Sequence, residues 1–175
     1  MSKLFNQLQA TYGGRSSPRR RVLAVASAGG HWIQLLRLMP AFGRHDVTFV
    51  STRPWCQQDC GRSRFYCVAD ASRWDRLRLV VSALQVVWVL LRVRPHVIVS
   101  TGALPGFIAV RLGRLLGART VWVDSMANAE TLSLSGRAIG RHTSLWLTQW
   151  PHLAGHTPGQ VAGGFGGPRF EGRVL

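Results

Sequence analysis

The run Val22-Leu23-Ala24-Val25-Ala26-Ser27-Ala28-Gly29-Gly30-His31, continuing into Trp32-Ile33-Gln34-Leu35-Leu36-Arg37-Leu38-Met39, restricts the fold more than any other stretch of this chain. A short apolar run, a glycine pair and then apolar residues at helical spacing read as strand, turn and helix, the opening of a βαβ unit. Glycines at such a junction let backbone amides approach a ligand closely, and a helix N-terminus favours negative charge there. A histidine at position 31 adds a residue type that can donate, accept or carry a proton near neutral pH. Two readings fit the turn taken alone: a phosphate-binding loop with His31 beside it, or a tight turn in which His31 only starts the helix.

The pattern recurs downstream. Residues 46–52 read as a second strand, entered from the turn Gly43-Arg44-His45, and after a polar loop over 53–64 a short third strand follows at 65–69. Residues 96–101 form a continuous apolar strand of the kind found in parallel sheets covered on both faces. The turn Gly102-Ala103-Leu104-Pro105-Gly106 then opens a helix over 107–116, which Gly117 terminates. A strand at 119–123 carries Asp124-Ser125 at its carboxyl end, and a helix over 135–141 and a strand over 145–149 complete the series. This alternation predicts an α/β fold with a parallel sheet. Residues 1–20 are expected to be a flexible basic arm, and residues 21–175 a single domain. Ligands of open α/β sheets bind outside the carboxyl ends of the strands, so His31, Thr101-Gly102 and Asp124-Ser125 are expected to meet in one crevice.

Charge narrows the partners. The 22 basic residues, all but Lys3 arginine, against 7 acidic ones give a formal charge of +15, which calls for a nucleic acid, a phosphorylated substrate or an acidic membrane surface. The three cysteines, Cys56, Cys60 and Cys67, lack a second pair at zinc-site spacing, so reduced thiols and no metal are expected. Residues 1–21 contain no apolar core and are neither a signal peptide nor a membrane span. Residues 74–94 have helical length without an internal glycine or proline, and between 79 and 91 only Ser82 and Gln85 are not apolar. That apolar run is shorter than the ~20 residues that cross a bilayer, and arginines flank it at 73, 76, 78, 92 and 94. Such a helix either covers the sheet or lies in one leaflet with Trp74 and Trp88 near the interface, and different faces can do both.

Taken in order, Ser27-Ala28-Gly29-Gly30-His31 with Gln34-Leu35-Leu36, Ser100-Thr101-Gly102-Ala103-Leu104-Pro105-Gly106, Asp124-Ser125, Ser133-Leu134-Ser135-Gly136 and Gln149-Trp150 resemble one glycosyltransferase family. It is the acceptor-side subunit family of split UDP-sugar transferases, which includes the asparagine-linked glycosylation subunit of eukaryotes and the PssD-type proteins of exopolysaccharide synthesis. The resemblance covers most of residues 21–150. It implies a Rossmann-like sheet equivalent to the N-terminal domain of a GT-B glycosyltransferase, acting on a polyprenyl-pyrophosphate-linked acceptor at the cytoplasmic face of the cell membrane.

The resemblance also implies a separate donor-binding subunit that brings the UDP-sugar. Length points the same way, because two Rossmann-like domains need roughly twice the ~150 residues that one occupies. The apolar tail over 161–175 is a candidate docking segment for that subunit. By resemblance, and as in MurG-type enzymes that also carry Gly-Gly-His, His31 is the candidate base or pyrophosphate contact. Ser27, Gly29, Gly30, Thr101, Gly102 and Ser125 are the candidate substrate-binding residues. Asp124 is the second catalytic candidate, to take a proton or orient His31, although a carboxylate ending a strand is often a helix cap. No cofactor, metal or nucleic acid is implied. Two departures stand out: eukaryotic members carry an N-terminal membrane anchor that residues 1–21 do not supply, and they usually have Glu where Asp124 stands. Attachment is therefore expected through the 79–91 helix and the arginines. A dinucleotide-dependent oxidoreductase would need G-x-G-x-x-G, which Gly29-Gly30-His31 does not provide. A non-catalytic scaffold that recruits a transferase to the membrane stays open.

Overall fold

A computed structural model describes residues 18–71, 75–155 and 167–172. Its strands are β1 (Arg21–Val25), β2 (Asp46–Ser51), β3 (Arg64–Cys67), β4 (Val97–Ser100), β5 (Arg119–Val123), β6 (Leu145–Thr148) and β7 (Arg169–Phe170). The helices are α1 (Gly30–Leu38), α2 (Arg76–Val93), α3 (Ala103–Leu115) and α4 (Leu134–Ile139). All seven strands form one sheet in the order β3-β2-β1-β4-β5-β6-β7, and every neighbouring pair is parallel. This is the Rossmann-like α/β arrangement expected from the sequence. From β1 the chain winds outward to β2 and β3, then returns to lay β4 on the other side of β1, so the sheet's topological switch falls between β1 and β4.

Strand alternation divides the core. Val22 and Ala24 of β1 face Trp32, Leu35 and Leu38 of α1, whereas Leu23 and Val25 face Val86, Val89 and Leu90 of α2 and Ala109 and Val110 of α3. Burying these apolar faces supplies the main driving force, at about 25 cal/mol per Å² removed from water.

Strand ends shift by one or two residues, and four larger departures from expectation stand out. Helix α3 begins at Ala103, four residues before the predicted start. Pro105 fits its first turn because the backbone N–H there has no intrahelical partner to lose. Gly106 is a packing residue and not a turn residue: a Cβ there would overlap Ser100 Oγ on β4. Residues Pro54–Cys60 form a 3₁₀ helix inside the predicted polar loop, and it buries Cys56 and Cys60 against the α1 side of the sheet. The fourth helix stops at Ile139 and passes into a 3₁₀ turn at Gly140–His142. Finally, Arg169 and Phe170 pair with β6, so this part of the 161–175 tail extends the sheet. Residues 161–166 and 173–175 of that tail, residues 1–17 of the basic arm, and Arg73 and Trp74 lie outside the described residues.

Helix α2 starts where Asp75 caps it, its carboxylate accepting from Arg78 N at 3.0 Å, and ends at Arg94, which has a left-handed φ of 46°. The sheet-covering reading holds for one face of this helix, and the other face is open to solvent. Ser82, Val86, Val89, Leu90 and Val93 are buried, while Leu77, Val80, Leu84, Trp88 and Leu91 form an exposed stripe at helical spacing. Among the described residues, no helix is long and apolar enough to cross a membrane.

Candidate active site

The carboxyl ends of β1 and β4 each run into a glycine turn that caps a helix, and strand adjacency sets these two turns side by side. Gly29 precedes α1 with φ 89° and ψ −142°, and Gly102 precedes α3 with φ 136° and ψ −167°. Both conformations are essentially restricted to glycine. Ala103 follows at φ 65°, so backbone strain is concentrated at this junction.

His31, the second residue of α1, bridges the turns. Its Nδ1 lies 2.9 Å from the carbonyl oxygen of Thr101, and the Thr101 hydroxyl donates to the His31 carbonyl at 2.6 Å. A carbonyl oxygen only accepts, so Nδ1 carries the proton and the neutral ring keeps its lone pair on Nε2. The imidazole rests on Gly102. A Cβ at that position would stand 2.5 Å from Cε1 and 2.7 Å from Nδ1, so the missing side chain is what gives the ring its place. The ring is half-buried, and Nε2 has no hydrogen-bond partner among the described residues.

The other expected residues divide between this crevice and the adjoining loop. Ser27 is half-buried and Gly29 and Gly30 are exposed on the β1 turn, while Thr101 and Gly102 are buried beneath His31. Asp124 and Ser125 do sit at a strand's carboxyl end, that of β5, but neither hydrogen-bonds to His31. The buried Asp124 carboxylate accepts from Ser125 N at 3.0 Å, Asn128 Nδ2 at 3.3 Å and Ser133 N at 3.1 Å. Ser133 in turn caps α4 by accepting from Gly136 N at 2.8 Å. Asp124 thus fastens the loop between β5 and α4 to the start of that helix. Thr101, and not Asp124, sets the orientation of His31.

Two supporting residues, Thr52 and Asn128, went unrecognised in the sequence, whereas Gln149 and Trp150 enter the sequence reading only as part of a motif. Thr52, at the end of β2, accepts from Ala28 N at 3.2 Å and so braces the β1 turn. Asn128 is one of the donors to Asp124. Gln149 donates from Nε2 to the Asp124 carbonyl at 3.0 Å, and Trp150 from Nε1 to Met126 O at 3.0 Å, closing the β5 loop from the β6 side. The only available signal was a polar residue at the carboxyl end of a predicted strand, as at Thr52. Among the described residues no group of three or more His, Cys, Asp or Glu could hold a metal ion. Cys56 Sγ instead accepts from Ser51 Oγ at 3.4 Å, and Cys60 Sγ donates to Cys56 O at 3.3 Å. Burial and the neighbouring Asp59 push the Cys60 thiol up to about 11.

Comparison with known proteins adds a second line of observation. A family model described as "Oligosaccharide biosynthesis protein Alg14 like" matches residues 62–165, a span that includes Thr101, Gly102, Asp124 and Ser125. The UDP-N-acetylglucosamine transferase subunit ALG14 of Eremothecium gossypii is 27% identical over 174 residues, covering 81% of this chain and 78% of that protein. The mouse protein of the same name is 25% identical over 194 residues, with 90% and 89% covered. Among solved structures, MurG of Acinetobacter baumannii superposes with a TM-score of 0.62 at 13% identity, over 77% of this chain and 42% of MurG. UDP-N-acetylglucosamine 2-epimerase of Rickettsia bellii gives 0.58 at 15% identity, over 77% and 40%. At these identities the structures share the fold alone, and this chain spans about two fifths of their length. The fold is that of one Rossmann-like half of a GT-B glycosyltransferase.

Proposed function

This chain belongs to the Alg14-like family of oligosaccharide biosynthesis proteins, and on that footing we propose that it is the acceptor-side subunit of a UDP-sugar transferase. It holds a polyprenyl-pyrophosphate-linked acceptor in the crevice between the β1 and β4 turns, and a second, donor-binding subunit brings the UDP-sugar. The relatives named as UDP-N-acetylglucosamine transferase subunits support this reading, being matched over 78% and 89% of their own lengths. The product is a lipid-linked oligosaccharide or a polysaccharide precursor.

The observation that carries the reading is the His31 constellation. Transfer breaks the bond between the anomeric carbon and the UDP phosphate oxygen and forms one to the acceptor oxygen. Where that oxygen is a hydroxyl, its proton must leave. The bond from Nδ1 to Thr101 O presents Nε2 in the form that takes up this proton, or, once protonated, the form that donates to a pyrophosphate oxygen. The amides of Gly29 and Gly30, with Ser27, Thr101, Gly102 and Ser125 around them, serve as phosphate and substrate contacts, while the Gly102 N–H is committed to Ser100 Oγ at 3.2 Å. Asp124 supports the crevice by holding the neighbouring loop.

The exposed face of α2 seats the subunit on the cytoplasmic surface of an anionic membrane. Leu77, Leu84, Trp88 and Leu91 are 76%, 64%, 56% and 57% exposed, and Arg76, Arg78, Arg92 and Arg94 flank this stripe on the same helix and its cap. Burying such a face in one leaflet while the arginines reach headgroups is favourable on both counts.

The test is turnover of His31→Ala and His31→Gln in the chain co-expressed with its donor-binding subunit. The fold is expected to persist, because Thr101 bonds the His31 backbone carbonyl, which both variants keep. The Ala variant is expected to lose about 10²-fold or more in turnover. Gln can donate a hydrogen bond but cannot take the proton, so a largely active Gln variant assigns contact only and an inactive one assigns the base. Near-normal turnover in the Ala variant overturns the role of His31. Robust transfer by this chain without a partner overturns the split-enzyme reading.

A further inference from the structure

The opposite end of the sheet contains a cavity, apart from the crevice, that shares only Leu91 and Arg94 with the α2 face described above. The amino ends of three adjacent strands are tied in a row there: His96 N donates to Arg21 O at 2.9 Å, and Arg119 N donates to His96 O at 2.9 Å. This register brings Arg20, Arg21, His96 and Arg119 to one edge, and the end of α2 adds Arg94. Together they line a cavity of about 460 Å³. Its apolar lining includes Leu91 and Leu116, both more than half exposed.

Two of these groups are held as donors. Arg21 Nε donates to the carbonyl oxygens of Val93 at 3.0 Å and Arg94 at 2.9 Å, which anchors the guanidinium on the last turn of α2. Its terminal nitrogens make no hydrogen bond among the described residues. His96 Nδ1 accepts from Arg21 N at 3.0 Å, so the neutral ring carries its proton on Nε2. Burial, with Arg21 and Arg20 nearby, lowers the His96 pKa and favours that neutral form.

Among the described residues no carboxylate balances the cluster. All seven acidic residues are among the described ones, and the ion pairs there are Arg53–Asp70 and Arg78–Asp75. Asp46 stands opposite Arg21 in the sheet register yet forms no pair within 4.0 Å. Arg94 is also held at φ 46°, where glycine is the residue that fits without strain. Uncompensated guanidinium groups repel one another, and a phosphate, with several acceptor oxygens and more than one charge, matches their forked donors.

We propose that this amino-end cavity binds a phosphate group, presented either as a free phosphate or diphosphate or as the headgroup of a lipid whose chains lie over Leu91 and Leu116. The site is separate from the crevice at the carboxyl ends of the strands, and its test does not depend on transferase activity. The full chain is titrated calorimetrically with inorganic phosphate and pyrophosphate at constant ionic strength. It is also sedimented with phosphatidylcholine vesicles made with and without phosphatidic acid. Saturable binding of the soluble anions supports the site with a soluble ligand, and binding confined to phosphatidic acid vesicles supports it with a lipid headgroup. In either case the pair Arg94→Gly/Arg119→Gln is expected to weaken binding about tenfold or more. The pair Arg62→Gln/Arg137→Gln, which removes the same charge at exposed positions away from both α2 and the cavity, is expected to change it less than about twofold. Glycine suits the Arg94 backbone and Arg119 is an exposed strand end, so the first pair keeps the fold, as thermal unfolding will check. Arg20→Gln, ahead of the sheet, serves as an independent variant with a loss in the same direction. Failure of the wild type to bind any probe overturns the proposal, and so do equal losses in the two pairs.

Discussion

Substituting Gly102 by alanine tests the crevice through a methyl group. Two costs arise from the structure. At φ 136° and ψ −167°, alanine occupies a backbone region restricted to glycine, at about 1–3 kcal/mol. The new Cβ would also lie 2.5 Å from His31 Cε1, so the ring must retreat by about 1 Å to reach ordinary contact, an overpacking cost of about 1–3 kcal/mol. Together these predict roughly 2–6 kcal/mol of destabilisation. At about 2–4 °C per kcal/mol for a domain of this size, the melting temperature should fall by roughly 4–24 °C. A displacement of about 1 Å at a reacting group also costs turnover roughly 10²-fold. Gly61→Ala supplies the control, because Gly61 has φ 56° with no atom within 4 Å of its Cβ position. At φ 56° and ψ −122° its backbone also favours glycine, so it should lose about 1–3 kcal/mol from the backbone alone and leave transfer intact. Circular dichroism melts and sugar transfer, each measured with the donor-binding subunit present and below both melting temperatures, separate the two variants. If Gly102→Ala melts no lower than Gly61→Ala, or transfers sugar as well as the wild type, the contact between His31 and Gly102 does not constrain the site as argued.

Two further outcomes follow from the same geometry. Leu84→Glu with Leu91→Glu, both on the exposed stripe of α2, should release the protein from anionic vesicles without lowering its melting temperature, whereas unfolding of this pair would place the stripe in a protein interface. Cys60, buried and raised to about 11, should resist iodoacetamide at pH 8 in the folded protein, read by mass spectrometry. Because its folded value lies above that of the unfolded chain, the associated stability is intact below the ordinary thiol value of 9.0 and is lost as pH rises toward 11. Rapid alkylation at pH 8 would show that the 3₁₀ helix over Pro54–Cys60 does not shield it.

Much of the fold was legible because burial and backbone conformation leave local marks. The runs at residues 22–25, 96–101 and 119–123 read as strands, the second of the kind covered on both faces, and Gly29 and Gly102 read as turns. Local marks failed where one residue type serves two purposes. Pro105 and Gly106 both read as parts of a turn, but Gly106 is glycine because α3 presses on Ser100, and Pro105 sits in a first helical turn that tolerates it.

The sequence by itself determined a parallel α/β sheet, two glycine turns each leading into a helix, a strongly basic surface and an amphiphilic α2. Only the tertiary structure decided which of these features touch. His31 and Thr101 are 70 residues apart, and they meet because β4 returns to lie beside β1, an order that residue spacing does not encode. The same order gathers Arg21, His96 and Arg119 at the opposite edge, and it sets Asp124 at the end of β5, with β4 between that strand and the β1 turn of His31, its carboxylate committed to its own loop. Periodicity reports how each segment meets water. Contact between segments depends on how the sheet is wound, and the chemistry of both ends of this sheet depends on that contact.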